Sequence, residues 1–261
     1  MDIAASHYLN YDVGGSRVKF LSICKGLIVF NAFALSSYAS AGISVYPIEV
    51  NLGSSGNTKI EVMSQSDKVS FVKITEKKII NAGTPQEKEV AVDGVDDGGL
   101  IITPLKLAIT PGSSRIVRMV TLNPPEKETT WRVYIQEVSA EEFNSADDNK
   151  PQSKASAEVG VNIVWGALVH VLPRQTVFSL GFSPKSGLVF NNGTSRIKIK
   201  EIGECSSGGG CVWKASGASV YPDTHVKIFP FKYKPGSSYK VRFLGIPNGE
   251  KKEIPLNLIN G

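Results

Sequence analysis

The stretch SAEVGVNIVWGALVHVLP, residues 156–173, is long and apolar for a single β-strand. Every second residue from Val159 to Val171 is apolar, which predicts one continuous apolar face of an extended strand. The other face starts with polar or small residues and becomes apolar after Ile163. A segment that is apolar on both faces is typical of a strand buried in a core. From Trp165 onward the stretch is therefore predicted to be core.

Two interpretations of the alternating part, residues 158–163, stay open from periodicity alone. Either the whole stretch fills the core of its own domain, or its beginning is an edge strand that offers an apolar row to another protein. Proteins usually protect such edges, because an apolar edge invites pairing. An unprotected edge indicates that pairing is its purpose, since an added strand gains main-chain hydrogen bonds and side-chain pockets together.

Outward from this stretch, the chain consists of short β-rich runs separated by turn residues. About seven runs between residues 42 and 172, the first at 42–52, fit an immunoglobulin-like sandwich. A second series follows Pro173, in which the turn residues NNG at 191–193 predict a hairpin. A chain of 261 residues has room for two such domains. The sequence predicts an all-β protein with domains at 42–173 and 174–261, and a single large sandwich is the less favoured alternative.

Residues 1–41 differ from the rest of the chain. Basic residues precede a short apolar run at 26–35, and small residues with the A-x-A spacing follow at Ala39 and Ala41. This order is typical of a secretory signal peptide after an N-terminal extension. The apolar run is shorter than the roughly 20 residues that a membrane-spanning helix needs. A buried core helix is the alternative to a signal peptide. We therefore expect an exported protein that is not inserted in a membrane after cleavage.

The cysteines agree with export. Cys24 lies in the expected signal, which leaves Cys205 and Cys211 around the flexible spacer SSGGG. An oxidising compartment permits a disulfide between them, and the spacing suits two strand ends closed by a hairpin. A redox site normally has C-x-x-C, and a zinc site needs further ligands nearby. We expect a structural disulfide and no metal.

Several classes of function are not supported by the sequence. It has no H-E-x-x-H, G-x-S-x-G or P-loop motif, which argues against an enzyme. The net charge is +5, but basic residues are scattered among acidic ones rather than clustered, which argues against nucleic-acid binding. We expect no catalytic residues and no cofactor.

Several segments, taken together in their order and spacing, resemble the PapD-like periplasmic chaperones of chaperone–usher pilus assembly. The resemblance covers essentially residues 42–258 and is closest to the alternate class, which serves class 5 (alpha-type) and common-pilus fimbriae. The matching segments are YPIEVNL (46–52), KITEKKIINAGT (73–84), LIITPLKLAITPGSSRIVRMV (100–120), WRVYIQEV (131–138), VNIVWGALVHVLPRQ (161–175), and the late cysteine pair followed by VYPDTHVKIF (220–229).

The resemblance implies two immunoglobulin-like domains at an angle and a location in the periplasm. It implies that the last strand of the first domain, residues 157–172, is lent to a pilin or fimbrial subunit that lacks its own final strand. Counting back from Pro173 without gaps, the lent row falls on Val159, Val161 and Ile163, the row that periodicity also selects. The implied partners are pilin subunits and an outer-membrane usher.

The family also holds the subunit's terminal carboxylate on two basic residues between the domains. Here the sequence departs from the pattern. In an alignment without gaps, the positions of the two basic residues are occupied by Glu49 and Leu168. The candidate anchors nearby are Arg132, Arg174 and His170. Each has a simpler interpretation: an exposed sheet face for Arg132, a solvated linker charge for Arg174 and a structural histidine for His170.

A second hypothesis comes from a different class of protein. The chain would be a secreted β-sandwich binding or adhesive module, for example one that binds carbohydrate. Its apolar row would then be ordinary core, and a ligand would lie on loop aromatics such as Trp213, Tyr221 or Tyr239.

Overall fold

A computed structural model describes residues 42–53, 55–92, 99–145, 163–228 and 232–259. Their regular secondary structure is β-strand, apart from one short helix, α1 (Ala140–Asn144). Within these ranges no helix combines the length and the apolar character needed to cross a membrane. The expected signal peptide falls outside the described residues.

The first β-domain contains strands β1 to β10, and most of them are short, as the turn-rich sequence predicts. Their bounds are β1 (Ile43–Tyr46), β2 (Glu49–Leu52), β3 (Asn57–Ser64), β4 (Ser70–Ile80), β5 (Lys88–Val90), β6 (Ile101–Thr103), β7 (Lys106–Ile109), β8 (Ser114–Val120), β9 (Thr129–Val138) and β10 (Val164–Val171).

Two sheets face each other in this domain. One has the order β1-β3-β8-β6, and the other has the order β2-β10-β9-β4-β5, with β7 pairing to β4. The run at 42–52, predicted as one strand, is two strands that belong to different sheets. Pro47 lies between them, and proline has no N–H with which to continue a ladder, so the prediction of a single strand was wrong at this residue.

The core between the sheets is apolar and continuous. Trp131, Val133 and Ile135 alternate inward on β9, and Ala167, Val169 and Val171 do so on β10. Half-buried Trp165 packs against the same cluster. The prediction that the second part of the 156–173 stretch is core is therefore confirmed.

The second β-domain forms its own core and contains the remaining strands. Their bounds are β11 (Leu180–Ser183), β12 (Leu188–Asn191), β13 (Ile197–Cys205), β14 (Cys211–Ala215), β15 (Ser219–Val220), β16 (His225–Lys227), β17 (Ser238–Leu244) and β18 (Lys251–Leu258). They follow the order β14-β13-β17-β18-β11-β12-β16, with β15 paired to β13. Phe182, Phe243 and Leu180 are among the largest residues of this second core.

Two local predictions in this domain have different outcomes. Cys205 and Cys211 lie opposite each other on β13 and β14 and form a disulfide, which confirms the stapled hairpin. The hairpin predicted at 191–193 is wrong, because β12 pairs with β11 and β16 while β13 pairs with other strands. Instead, the side chain of Asn191 accepts a hydrogen bond from the Gly193 N–H, which turns the chain toward the next sheet segment.

Candidate functional site

Strand β10 has an edge that is open over half of its length. On one side it pairs with β9 from Val164 to Val171. On the other side it pairs with β2 in parallel, and this pairing starts only at Leu168. From Val164 to Ala167, none of the described strands pairs with this outer edge. The first half of β10 is therefore an edge and the second half an interior strand.

Backbone groups at this edge are directed outward. The Leu168 N–H donates to the Ile48 carbonyl at 2.8 Å, and the Leu172 N–H donates to the Leu52 carbonyl at 2.9 Å. Since N–H groups two residues apart on a strand point to the same side, those of Val164 and Gly166 point to the open edge. The edge therefore presents main-chain groups that no described strand pairs, and that are available to an incoming strand.

Apolar side chains accompany the open edge. Ile163 is 45% exposed and Val164 is 46% exposed, high values for aliphatic residues beside a core. The change to buried residues comes at Trp165, whose indole N–H donates to the Ile43 carbonyl at 3.0 Å. Val159 and Val161 of the predicted donor row lie outside the described residues.

The outer face of this sheet carries charge beside the edge. Lys77 on β4, Arg132 on β9, Leu168 on β10 and Glu49 on β2 form one row across four strands. Leu168 thus lies opposite Arg132, and Glu49 lies one strand further along the same row. Of the three candidate anchors, this row contains Arg132.

Arg132 lies close to Gly166 of β10. A Cβ atom at Gly166 would lie 3.4 Å from Cδ of Arg132 and 3.7 Å from a ring carbon of Tyr134. These are ordinary contact distances, so the stem of Arg132 and the ring of Tyr134 pack beside the Gly166 backbone on β10. Arg132 is consequently a neighbour of the edge rather than a remote surface charge.

Arg132 already has acidic neighbours from β5 and the turn before it. Its Nε lies 2.7 Å from Oε1 of Glu89, and Nη2 lies 3.8 Å from Oε1 of Glu87. The Tyr134 hydroxyl donates to Oε2 of Glu89 at 2.6 Å. Burial is the larger cause, and this bond to the Glu89 carboxylate the second, of a raised pKa of Tyr134. Glu89 is therefore the centre of a small charged cluster on the sheet face.

A buried ion pair connects the two β-domains. The carboxylate of Glu128, fully buried at the start of β9, accepts the backbone N–H of Arg196 at 2.9 Å and its Nη1 at 2.5 Å. Arg196 precedes β13, and its Nη2 donates to Asn51 on β2 at 2.8 Å. Burial alone would raise the pKa of Glu128, but bonding to His170 and the charge of Arg196 hold it below its ordinary value.

His170 lies inside this network. Its Nδ1 is 3.3 Å from both the Glu128 carboxylate and the Thr130 hydroxyl, and the residue is fully buried. Its Nε2 is 3.5 Å from Glu49, and its ring stacks against that of Tyr221 from the second domain at 6.1 Å. These contacts match the structural interpretation of His170.

Arg174 is held next to the domain connection. Its backbone N–H donates to the Pro125 carbonyl and its Nε donates to the Pro124 carbonyl, both at 3.1 Å. Of the three candidate anchors, the structure thus places Arg132 beside the open edge, His170 in the buried network and Arg174 after β10, bonded to the loop before β9.

The aromatics of the alternative hypothesis do not form one surface. Tyr239 is buried in the second core on β17, and Trp213 lies on β14 under the guanidinium of Arg242, 3.6 Å from the ring centre. Tyr221 packs on His170. The prediction that all three are loop aromatics was wrong for Trp213 and Tyr239, because both alternate with exposed strand residues.

Three site residues were missed from sequence: Glu89, Glu128 and Arg196. Each lies in a polar or charged segment where an exposed residue is the ordinary expectation. Only the pairing of distant segments brings Glu128 and Arg196 together, and no local signal marks it. Among the described residues, no group of three or more His, Cys, Asp or Glu side chains has a geometry suited to a metal ion.

Comparison with known proteins finds two fimbrial proteins that resemble this chain in sequence. No model of a known protein family matches the sequence. One CFA/I fimbrial subunit of Escherichia coli is 35% identical over 191 residues, covering 71% of this chain and 79% of that protein. One CS1 fimbrial subunit of Escherichia coli is 30% identical over 191 residues, covering 70% and 79% respectively.

The fold has matching relatives among solved structures. The class 5 fimbriae chaperone CfaA superposes with a TM-score of 0.65 at 30% identity, covering 82% of this chain and 98% of that one. A structure of a chaperone–tip adhesin complex of CFA/I fimbriae biogenesis matches with a TM-score of 0.64 at 28% identity, covering 83% and 99%. The predicted fold of two immunoglobulin-like domains is confirmed. The chain belongs to the PapD-like family of fimbrial chaperones, in the class 5 group that includes CfaA.

Proposed function

We propose that this chain is a periplasmic chaperone that binds fimbrial subunits by adding the edge of β10 to the subunit's incomplete sheet. The observation that carries the proposal is the open edge from Val164 to Ala167, with Ile163 and Val164 exposed beside it. Monomeric proteins usually cover such an edge, because it pairs readily with other strands. Covering it with a subunit strand would protect both proteins from aggregation.

The direction of the side chains supports a lent row. Residues Trp165, Ala167, Val169 and Val171 face the core of the first domain. In the sequence, Val159, Val161 and Ile163 have the same parity as this row. Each fully buried aliphatic side chain contributes about 1.5–3 kcal/mol before ordering costs, so three of them contribute several kcal/mol. No catalytic group is needed, because the action is stoichiometric.

Among the three candidate anchors, Arg132 is the one best placed for the subunit's terminal carboxylate. It lies on the outer face of the sheet, on the strand paired to β10, and its stem packs beside Gly166 of the open edge. A guanidinium is well suited to a carboxylate because it forms paired, charge-assisted hydrogen bonds. His170 is fully buried and Arg174 bonds to the loop before β9, whereas Arg132 lies on the strand next to the open edge, which favours Arg132.

The relatives support the nature of the partner. Solved relatives include a fimbrial chaperone and a chaperone–tip adhesin complex. By extension, the partners of this chain are fimbrial subunits, which it delivers to an outer-membrane usher. The periplasm is the compartment that fits the Cys205–Cys211 disulfide and the expected signal peptide.

Co-expression with the fimbrial subunits encoded by neighbouring genes, followed by affinity purification, tests this function. We expect a one-to-one complex that is lost with Ile163→Asp, because a buried carboxylate would replace an apolar contact. Lys185→Asp, an exposed change in the second domain, is the control and should retain the complex. Retention of the complex by a folded Ile163→Asp variant would exclude the edge as the binding site.

A further inference from the structure

We propose that Glu89 is a built-in competitor for Arg132, which occupies this guanidinium until a partner carboxylate displaces it. The inference rests on the proposed function and adds a residue that sets the affinity for the subunit. Glu89 lies on β5, with β9 and β4 between its strand and β10 in the sheet order. Its carboxylate nevertheless reaches the side chains beside the open edge.

Geometry shows that Glu89 holds several donors at once. Its Oε1 lies 2.7 Å from Arg132 Nε, and its Oε2 accepts the Tyr134 hydroxyl at 2.6 Å. Lys77 Nζ lies 3.9 Å from Oε2. One carboxylate is therefore surrounded by two cations and a phenol, the arrangement of a carboxylate-binding site that an internal group fills.

The contact between Glu89 and Arg132 is close but poorly aligned. Arg132 Nε is buried, yet within the described part of the chain it makes no hydrogen bond of good geometry despite the 2.7 Å separation. A charge-assisted hydrogen bond requires the N–H to point at its acceptor. An external carboxylate is not fixed to β5 and is therefore free to meet the guanidinium in better alignment than Glu89 does.

Exposure sets the scale of the competition. The side chains of Arg132 and Glu89 are 28% and 26% exposed, so water screens part of their attraction. Ion pairs near the surface contribute about 0.2–1 kcal/mol. Removing the Glu89 charge should therefore strengthen the binding of a partner carboxylate by roughly one and a half- to fivefold.

The test compares two forms of the fimbrial subunit that co-purifies with the chain. One has its natural C-terminal carboxylate, and the other carries a short glycine tail that moves the carboxylate away. We expect Glu89→Gln to tighten binding of the natural subunit by roughly one and a half- to fivefold and to leave binding of the tailed subunit unchanged. Adding Arg132→Gln should remove that gain. Glu250→Gln, an exposed acid near Lys252 in the second domain, is the matched control and should change neither affinity.

The outcomes separate this inference from the proposed function. If Ile163→Asp abolishes binding while Glu89→Gln leaves the affinity unchanged, or weakens it for both forms of the subunit, Glu89 is only a support for the sheet. The proposed function then stands and the inference fails. If the unaltered chain binds no subunit, or folded Ile163→Asp binds normally, the proposed function fails and the inference fails with it.

Discussion

Replacing Arg196 by methionine tests whether the buried network stabilises the protein. Methionine keeps most of the side-chain length but removes the charge, the bond to Glu128 and the bond to Asn51. The backbone N–H of residue 196 still bonds to Glu128. Glu128 would then be a fully buried carboxylate without its guanidinium partner.

The expected cost follows from this burial. Removing one partner of a buried ion pair leaves an uncompensated charge and typically costs about 3–5 kcal/mol. Arg242 provides the comparison, because its side chain is 45% exposed and pairs with Glu253 at 3.0 Å. Arg242→Met should cost only about 1 kcal/mol, including the loss of its contact with Trp213.

Urea unfolding followed by circular dichroism and by tryptophan fluorescence measures both variants. Agreement of the two signals establishes whether a single free energy of unfolding applies to this two-domain chain. We expect a large drop in the midpoint for Arg196→Met and a small one for Arg242→Met. Adding Glu128→Gln to Arg196→Met should recover part of the loss, since it removes the stranded charge. Equal, small effects of Arg196→Met and Arg242→Met would refute the assigned role of the network.

Three further predictions rest on specific contacts. The pKa of Glu128 is lowered in the folded state, so its ionised form stabilises the fold fully at pH values above the unfolded pKa of about 4.3. This contribution is lost as the pH falls through the lower pKa of the folded state. The difference in free energy of unfolding between the unaltered chain and Glu128→Gln should therefore shrink on going from pH 7 to about pH 3, as measured by urea titration; a constant difference would contradict the assignment. Replacing both Cys205 and Cys211 by serine should lower the free energy of unfolding of the second domain by roughly 2 kcal/mol, because the bridge closes a short loop; an unchanged urea midpoint would show that the bridge is not stabilising. Glu89→Gln should lower the pKa of Tyr134, because the Glu89 carboxylate disfavours the phenolate. NMR titration measures this pKa, with Tyr134→Phe as the control that assigns the signal. An unchanged pKa would show that Glu89 does not accept this hydroxyl's hydrogen bond in solution.

The sequence predicted those parts of the fold that local patterns encode. Alternation on β9 and the doubly apolar second half of β10 identify buried strands, because burial follows the two-residue period of a strand. The Cys205–Cys211 spacing predicted a hairpin because few residues separate the two strand ends. In each of these cases the deciding residues are close in the chain.

The sequence did not predict features that depend on which strands meet. The turn at 191–193 resembles a hairpin locally, but β12 and β13 pair with different neighbours, which no local pattern reveals. Pro47 marks a break, yet nothing nearby shows that β1 and β2 join different sheets. Glu128 and Arg196 are 68 residues apart and look like surface charges until the two domains pack together.

Amide hydrogen exchange in the free chain and in its complex with a fimbrial subunit tests the central claim most directly. The N–H groups of Val164 and Gly166 point to the open edge, whereas those of Trp165 and Ala167 point to β9. We predict that the Val164 and Gly166 amides exchange rapidly in the free chain and become protected in the complex, while those of Trp165 and Ala167 are protected in both. If Val164 and Gly166 exchange equally fast with the subunit bound, the subunit does not pair with the β10 edge, and the account of strand donation is contradicted.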